Sequence, residues 1–415
     1  MVSERKNIFN VLKNKDFFAL WIGQIVSQFG DRLAQMGLVG IYLNKTQGIS
    51  VAESVPLMRD LFFFSTLPIL IFTPLAGVYV DRWGRRNILI ITDFVRAVLV
   101  VLIPVSVVYT GNISYVYVII FLIFSVTCFF TPAKLAFIPN LVEKEELLSA
   151  NSLSNITRMV AMIAGVVIGG FIVARLGITL SFVLDSVSFI ASGCAIALVR
   201  IKGNPVRDSH AASLLKKIGG DVREGIRFIL KNKQVSLLAI NLFVSMAASG
   251  LAYVLVTVWV TKDLRMGTQG LGIIAAFLGA GMIAGSLLYG QFGGKLRKNS
   301  VILGGMLAAG LFVLILGGSG SITFLSLGIF LIGFIAAIIM IAANTFIQEV
   351  TPDSVRGRVF AGFEIIINSA FLIFVWVAGV IGALYPISHI FYGIGAVLLA
   401  YSGSMILGRT IIRVR

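Results

Sequence analysis

The sequence predicts an all-α membrane protein in which twelve transmembrane helices form two pseudo-symmetric six-helix bundles, and three observations predict it. Hydrophobic residues make up 58% of the 415 residues and charged residues 13%, with a mean hydropathy of +0.98, whereas a soluble domain holds about 45–50% apolar and about 25% charged residues. Apolar runs of about 20 residues, the length a helix needs to cross a hydrocarbon core about 30 Å thick, recur along the chain. A single long polar stretch separates six of these runs from the other six.

The elements follow in order. Residues 1–16 are charged and lack the apolar core of a leader peptide, which marks them as a cytoplasmic N-terminal segment. The first bundle covers 17–199, with spans at 17–43, 55–80, 87–109, 115–133, 152–174 and 179–199. Residues 200–234 are too polar to cross and form a cytoplasmic linker. From Ser213 to Leu230 this linker spaces Leu214, Leu215, Ile218, Val222, Ile226 and Ile229 among Lys and Arg, the pattern of an amphipathic helix lying on the membrane surface; a plain tether is the alternative. The second bundle covers 235–408, with spans at 235–261, 268–292, 301–318, 322–346, 358–383 and 386–408, and 409–415 is a cytoplasmic tail.

Orientation comes from the basic residues. Lys45, Arg59, Arg175, Lys262 and Arg265 fall in loops opposite the termini, and Arg32, Arg96 and Arg158 fall within spans. Every other one of the 34 Lys and Arg residues lies on the side of the termini. By the positive-inside rule both termini are cytoplasmic in a multi-pass protein of the cell (inner) membrane. The net charge of +16 is spread over short loops facing anionic headgroups and forms no continuous groove, which argues against nucleic acid as a partner.

Several chemistries are excluded. Cys128 and Cys194 lie inside spans and read as buried packing residues rather than a disulfide. His210 and His389 have no companions at ligand spacing, so neither a metal nor another cofactor is expected. There is no phosphate-binding loop, and Gly270-x-Gly272-x-x-Ala275 falls inside an apolar span where nucleotide cannot reach it. No nucleophile, base and metal constellation can be assembled, so the chain is not expected to be an enzyme.

The loop between spans two and three carries Gly77-x-x-x-Asp81-Arg82-x-Gly84-Arg85-Arg86. This stretch resembles the cytoplasmic signature of the major facilitator superfamily, and the resemblance covers the whole chain. It implies the major facilitator fold and a cytoplasmic latch that holds the two halves together in the outward-open state. The arginines can engage carboxylates and helix C-termini, and Asp81 can cap or pair at a neighbouring helix end. The loop from Gly290 to Lys298 is a second copy with Gly294 at the place of Asp81, and is expected to latch more weakly. The FGDRL stretch of span one, Thr131 to Leu153, and Thr351-Pro352-x-x-x-Arg356-Gly357-Arg358-Val359-Phe360 are similar to the branch that contains macrolide efflux proteins, the enterobactin exporter and the lysophospholipid transporter. Ala161-x-x-x-Gly165-Val166-x-x-Gly169-Gly170 in span five resembles an antiporter motif with Val166 in place of its proline.

Polar residues inside spans are costly in lipid and mark function. On a helical wheel Gln24, Gln28, Asp31, Arg32 and Gln35 fall within an arc of about 100° and form one stripe on helix one. By resemblance, helices one, four, seven and ten line a central cavity. Asn155 and Arg158 share a face of helix five, Asn241 and Ser245 a face of helix seven, Asn344 and Gln348 of helix ten, and Glu364 and Asn368 of helix eleven. Asp93 and Arg96 read as a structural pair beside the latch, and Asp185 as a cap or structural partner.

The expectation is a monomeric secondary transporter that exports amphipathic or lipophilic small molecules by alternating access and proton antiport. A carboxylate that meets both compartments in turn, Asp31 or Glu364, would bind and release the protons, while Arg32 or Arg158 attracts anionic parts of the cargo. The alternative is a lysophospholipid transporter in which Asp31 and Lys134 handle the headgroup. Besides cargo and protons, membrane lipids are the only partners expected.

Overall fold

The computed structural model describes residues 8–143, 146–199, 220, 223–293, 296–317, 321–352 and 355–414. Twelve long helices run through them: α1 (Lys15–Lys45), α2 (Val51–Trp83), α3 (Arg85–Thr110), α4 (Ile113–Phe137), α5 (Leu147–Leu176), α6 (Ile178–Leu198), α7 (Lys233–Val258), α8 (Gly267–Phe292), α9 (Lys298–Leu316), α10 (Ile322–Val350), α11 (Arg356–Leu384) and α12 (Ile387–Val414). In lipid the backbone must satisfy its own hydrogen bonds, and a helix does so within one segment. Eleven of the twelve helices are long and apolar enough to cross a membrane; α1 is long enough, but its polar stripe keeps it outside that set.

Helix ends follow local chemistry. Asn14 Oδ1 accepts from the amides of Asp16 (3.0 Å) and Phe17 (3.1 Å) at the start of α1. Asn112 caps α4 through the Ser114 amide, and Asn232 caps α7 through the amides of Gln234 and Val235. Helix α2 begins four residues before the predicted span because Ser50 and Glu53 form a reciprocal capping box: the Glu53 carboxylate accepts from the Ser50 amide at 2.9 Å and Ser50 Oγ from the Glu53 amide at 3.2 Å. The predicted seventh span runs to 261, but α7 ends at Val258 and continues as a π turn, Trp259–Asp263, closed by the Leu264 amide on the Trp259 carbonyl at 2.8 Å. Cys194, expected to be buried, is exposed on α6; Cys128 is buried, and both are free thiols.

The chain divides into two compact units, Met1–Tyr42 with Phe64–Leu215 and Leu43–Phe63 with Lys216–Arg415. In the first, α3 packs against both α4 and α6; in the second, α9 packs against both α10 and α12, so the same helix pairs recur in the same order. The second unit also pairs α7 with α11 and α8 with α10. Residues 43–63, which hold the end of α1, the turn after it and the first turns of α2, belong to this second unit. There Lys262 Nζ donates to the main-chain carbonyls of Thr46 (2.6 Å) and Ile49 (3.0 Å), and the Arg59 side chain fills the space beside Gly379.

Of the linker, residues 223–231 are helical and 200–219 lie outside the described residues. This short helix docks on the start of α11. Gly225 lies against the Arg358 carbonyl, Ile229 is 1% exposed and reaches Gly362, and Glu224 pairs with Arg358 at 2.8 Å.

Candidate functional site

The site of the first unit is built around α1, and small residues bring its neighbours close. Gly23, Gly30 and Gly37 recur every seventh residue on one face of α1. A side chain at these positions would strike Ser192, Ser188 with Asp185, and Ser181 with Phe182, all on α6. On another side, Gly165 and Gly169 of α5 receive the Arg32 side chain, Leu33 and Met36. Close backbone approach at small residues is how membrane helices associate. The motif glycines of α5 thus hold the part of α1 that carries the polar stripe. Trp21 Nε1 adds a hydrogen bond to Thr157 Oγ1 at 2.8 Å.

Along the stripe, Arg32 Nη1 donates to Gln35 Oε1 at 2.9 Å. Asp31 is half-buried and accepts no hydrogen bond from the described residues, while the buried Oε1 atoms of Gln24 and Gln28 also have no partner. Behind the stripe lies a charged interior. Asp93 and Arg96 of α3, 0% and 2% exposed, form an ion pair. The Arg96 guanidinium is held between the rings of Phe130 on α4 and Phe189 on α6, at 4.5 and 4.2 Å from the ring centroids. Asp93 Oδ2 is buried with no hydrogen bond of normal geometry among the described residues, and Ser192 of α6 lies beside the carboxylate. Asp185 of α6 is 1% exposed, and among the described residues its carboxylate accepts a single hydrogen bond, from Ser188 Oγ at 3.2 Å. Asp31 lies within electrostatic reach of both Asp93 and Asp185, Arg96 of all three carboxylates, and Arg32 of Asp31 and Asp185.

Lys134 on α4 is half-buried within reach of Arg158 and Arg96, and Arg158 stands exposed on α5. The side chain of Asn155 lies outside the described residues.

In the second unit the candidate residues separate. Asn241 of α7 is fully buried, its Oδ1 accepting from Tyr401 OH of α12 at 2.7 Å while its Nδ2 has no partner. Glu364, Asn344 and Gln348 are exposed, and Asn368 Nδ2 donates to the Glu364 carbonyl (2.8 Å) and carboxylate (3.2 Å). Phe371, one turn further along α11, ends an aromatic run from Phe62 through Tyr253, with ring centroids 4.2 and 5.8 Å apart.

Of the loop motif, the side chains of Asp81 and Arg82 lie outside the described residues, and Gly77 lies in the last turns of α2. Gly84 takes a left-handed φ of 78° between α2 and α3. Arg85 Nη1 donates to the Ala136 carbonyl (2.8 Å) and Asn140 Oδ1 (2.9 Å), and Arg86 to the carbonyls of Ile196 (3.3 Å) and Ala197. The two arginines therefore bind the C-terminal ends of α4 and α6, where carbonyls lack intrahelical partners. In the second unit Lys298 pairs with Glu349 at 2.9 Å between the start of α9 and the end of α10.

Sequence reasoning placed Asp93, Arg96 and Asp185 outside the site, yet the fold brings them behind Asp31. The seven-residue glycine spacing on α1, facing serines at intervals of four and seven on α6, is the signal that could have found them.

The family model described as transmembrane secretion effector matches residues 7–413. The chain is 27% identical over 403 residues to the MFS-type transporter YkuC of Bacillus subtilis, covering 94% of this chain and 91% of that one. It is 26% identical to macrolide efflux protein A of Streptococcus pyogenes over 307 residues, covering 72% of each. Among solved structures, the nucleoside transporter NupG superposes with a TM-score of 0.70 over 94% of this chain and 99% of that one at 13% identity, a likeness of fold.

Proposed function

This chain belongs to the transmembrane secretion effector family of the major facilitator superfamily, and from that premise we propose that it exports amphipathic small molecules across the cell membrane in exchange for protons, with both termini cytoplasmic. The observation that carries the reading is Asp31. It stands in the middle of a 31-residue helix, half-buried, with no hydrogen bond from the described residues. A carboxylate so placed is stable only where water, a proton or a cation can reach it.

On the second unit the exposed Asn344, Gln348 and Glu364 and the half-buried Asn368 are costly against lipid and mark the polar groups that cargo would meet there. Their apolar neighbours suit cargo with few polar points. Arg32, Lys134 and Arg158 attract its anionic parts. Export agrees with the relative named for macrolide efflux. Alternating access moves Asp31 between the two compartments, so cargo and proton compete for it.

The test is uptake of radiolabelled erythromycin and of ethidium into proteoliposomes with an imposed pH gradient. Wild type accumulates at least one probe uphill, and Asp31→Asn does not. Unchanged gradient-dependent uptake in Asp31→Asn overturns the role of Asp31. A second reading, lysophospholipid transport, is favoured by the mutual reach of Lys134 and Arg158, two cations that a phosphodiester would neutralise. It predicts gradient-independent movement of lysophosphatidylethanolamine, lost in Lys134→Gln.

A further inference from the structure

We propose that Asp185 on α6 carries the exchanged proton, and that Asp31 passes it to water and cargo. The inference rests on the proton-exchange reading above and assigns the site of the proton within it.

Three features of the geometry point there. Asp185 is 1% exposed and lies seven residues into α6, about 10 Å from its start at a rise of 1.5 Å per residue. Its Oδ1 occupies the space that a side chain on Gly30 would need, so the carboxylate presses on the backbone of α1 one residue from Asp31. The route from one carboxylate to the other is therefore a helix crossing.

Second, Asp185 has no cation of its own. Among the described residues its only hydrogen bond comes from the Ser188 hydroxyl. The charged groups acting on it are Asp31 and Arg32 from α1 and Arg96 from α3, with none from α5 among them, and Asp93 of α3 acts on the cluster through Asp31 and Arg96. Arg96 is committed to Asp93 and fixed between Phe130 and Phe189, so it cannot swing across. Arg32 is hydrogen-bonded to Gln35.

Third, the charges do not balance. Three carboxylates (Asp31, Asp93, Asp185) face two guanidinium groups (Arg32, Arg96), and an uncompensated buried charge costs several kcal/mol. One proton on the Asp31–Asp185 pair restores neutrality, and such a pair titrates as a unit. In the transfer, the O–H bond on Asp185 breaks as one forms on Asp31. Asp31 then yields the proton to water on the open side, and Asp185 returns to the anion until Asp31, open to the other side, hands on a new proton. Of the two carboxylates cargo reaches only Asp31, so cargo and proton compete there while Asp185 holds the proton out of the cargo's reach.

Asp185→Asn preserves volume against Gly30 and Ser188. The experiment compares it with wild type and Asp31→Asn in proteoliposomes, using erythromycin and ethidium. Asp185→Asn is expected to keep gradient-free counterflow of the probe and to lose both pH-driven accumulation and proton release on probe binding in detergent. Asp31→Asn loses both kinds of transport.

Asp185→Asn that couples like wild type overturns this proposal and leaves the export reading standing. Wild type that never couples to protons overturns the export reading itself. Wild-type protein treated with dicyclohexylcarbodiimide, which modifies protonated carboxyl groups in apolar surroundings, gives a readout that needs no variant to fold. The adduct is expected on the peptide holding Asp185, and an adduct on Asp31 with none on Asp185 overturns the assignment.

Discussion

The two units repeat one arrangement of helices and fill it with different chemistry. In the first, the interior holds charge: Asp93 with Arg96, and Asp185 behind Asp31. In the second, the buried pair between α7 and α12 is neutral, Asn241 with Tyr401, and the ion pairs Lys298–Glu349 and Glu224–Arg358 sit at helix ends. Buried ion pairs are weak sources of stability, and well-packed apolar residues often replace them without loss. Under the proposed proton exchange, the buried charges of the first unit are therefore the groups to test for ion chemistry.

The strongest way to break that contrast is Arg96→Met. It strips Asp93 of its partner and is expected to destabilise by about 3–5 kcal/mol, read as a lowered melting temperature and loss of the monodisperse peak in detergent. Adding Asp93→Leu to Arg96→Met should recover most of the loss. An Arg96→Met protein as stable as wild type would erase the contrast.

Next comes the α1–α6 seam. Gly30→Ala drives a methyl group into Ser188 and Asp185 and should cost about 1–3 kcal/mol. Gly304→Ala on α9, where nothing lies within 4 Å of the new methyl group, should stay within about 1 kcal/mol of wild type. Equal melting shifts for the two would show that the seam is loose. The smallest effect is expected from Tyr401→Phe, which leaves Asn241 Oδ1 unsatisfied at about 1 kcal/mol, with pH-driven uptake unchanged. A loss of coupling in Tyr401→Phe would move ion chemistry into the second unit as well.

The fold was legible because lipid imposes a length and a composition on each segment, and the helix ranges differ from the expected spans by a few residues at caps and at one π turn. The stripe on α1 and the i,i+3 pairing of Asp93 with Arg96 were also legible, since both are local. What surrounds them was not. Phe130 and Phe189 reach Arg96 from two other helices, and Asp185 reaches Gly30 across more than 150 positions of sequence, distances at which periodicity carries no information. The expectation that Arg85 and Arg86 engage helix C-termini held because their charge and the exposed carbonyls of α4 and α6 leave few other solutions.

The lysine clip at the turn between α1 and α2 has an evolutionary corollary. Lys262 grips main-chain oxygens, and every residue type supplies one. Thr46 and Ile49 can drift without weakening the grip, whereas no other side chain at 262 offers an ammonium on so long a stem. Selection should therefore be visible at a single position of this contact, and an epitope tag inserted between the exposed Gln47 and Gly48 should be accepted so long as the backbone of Thr46 and Ile49 keeps its place.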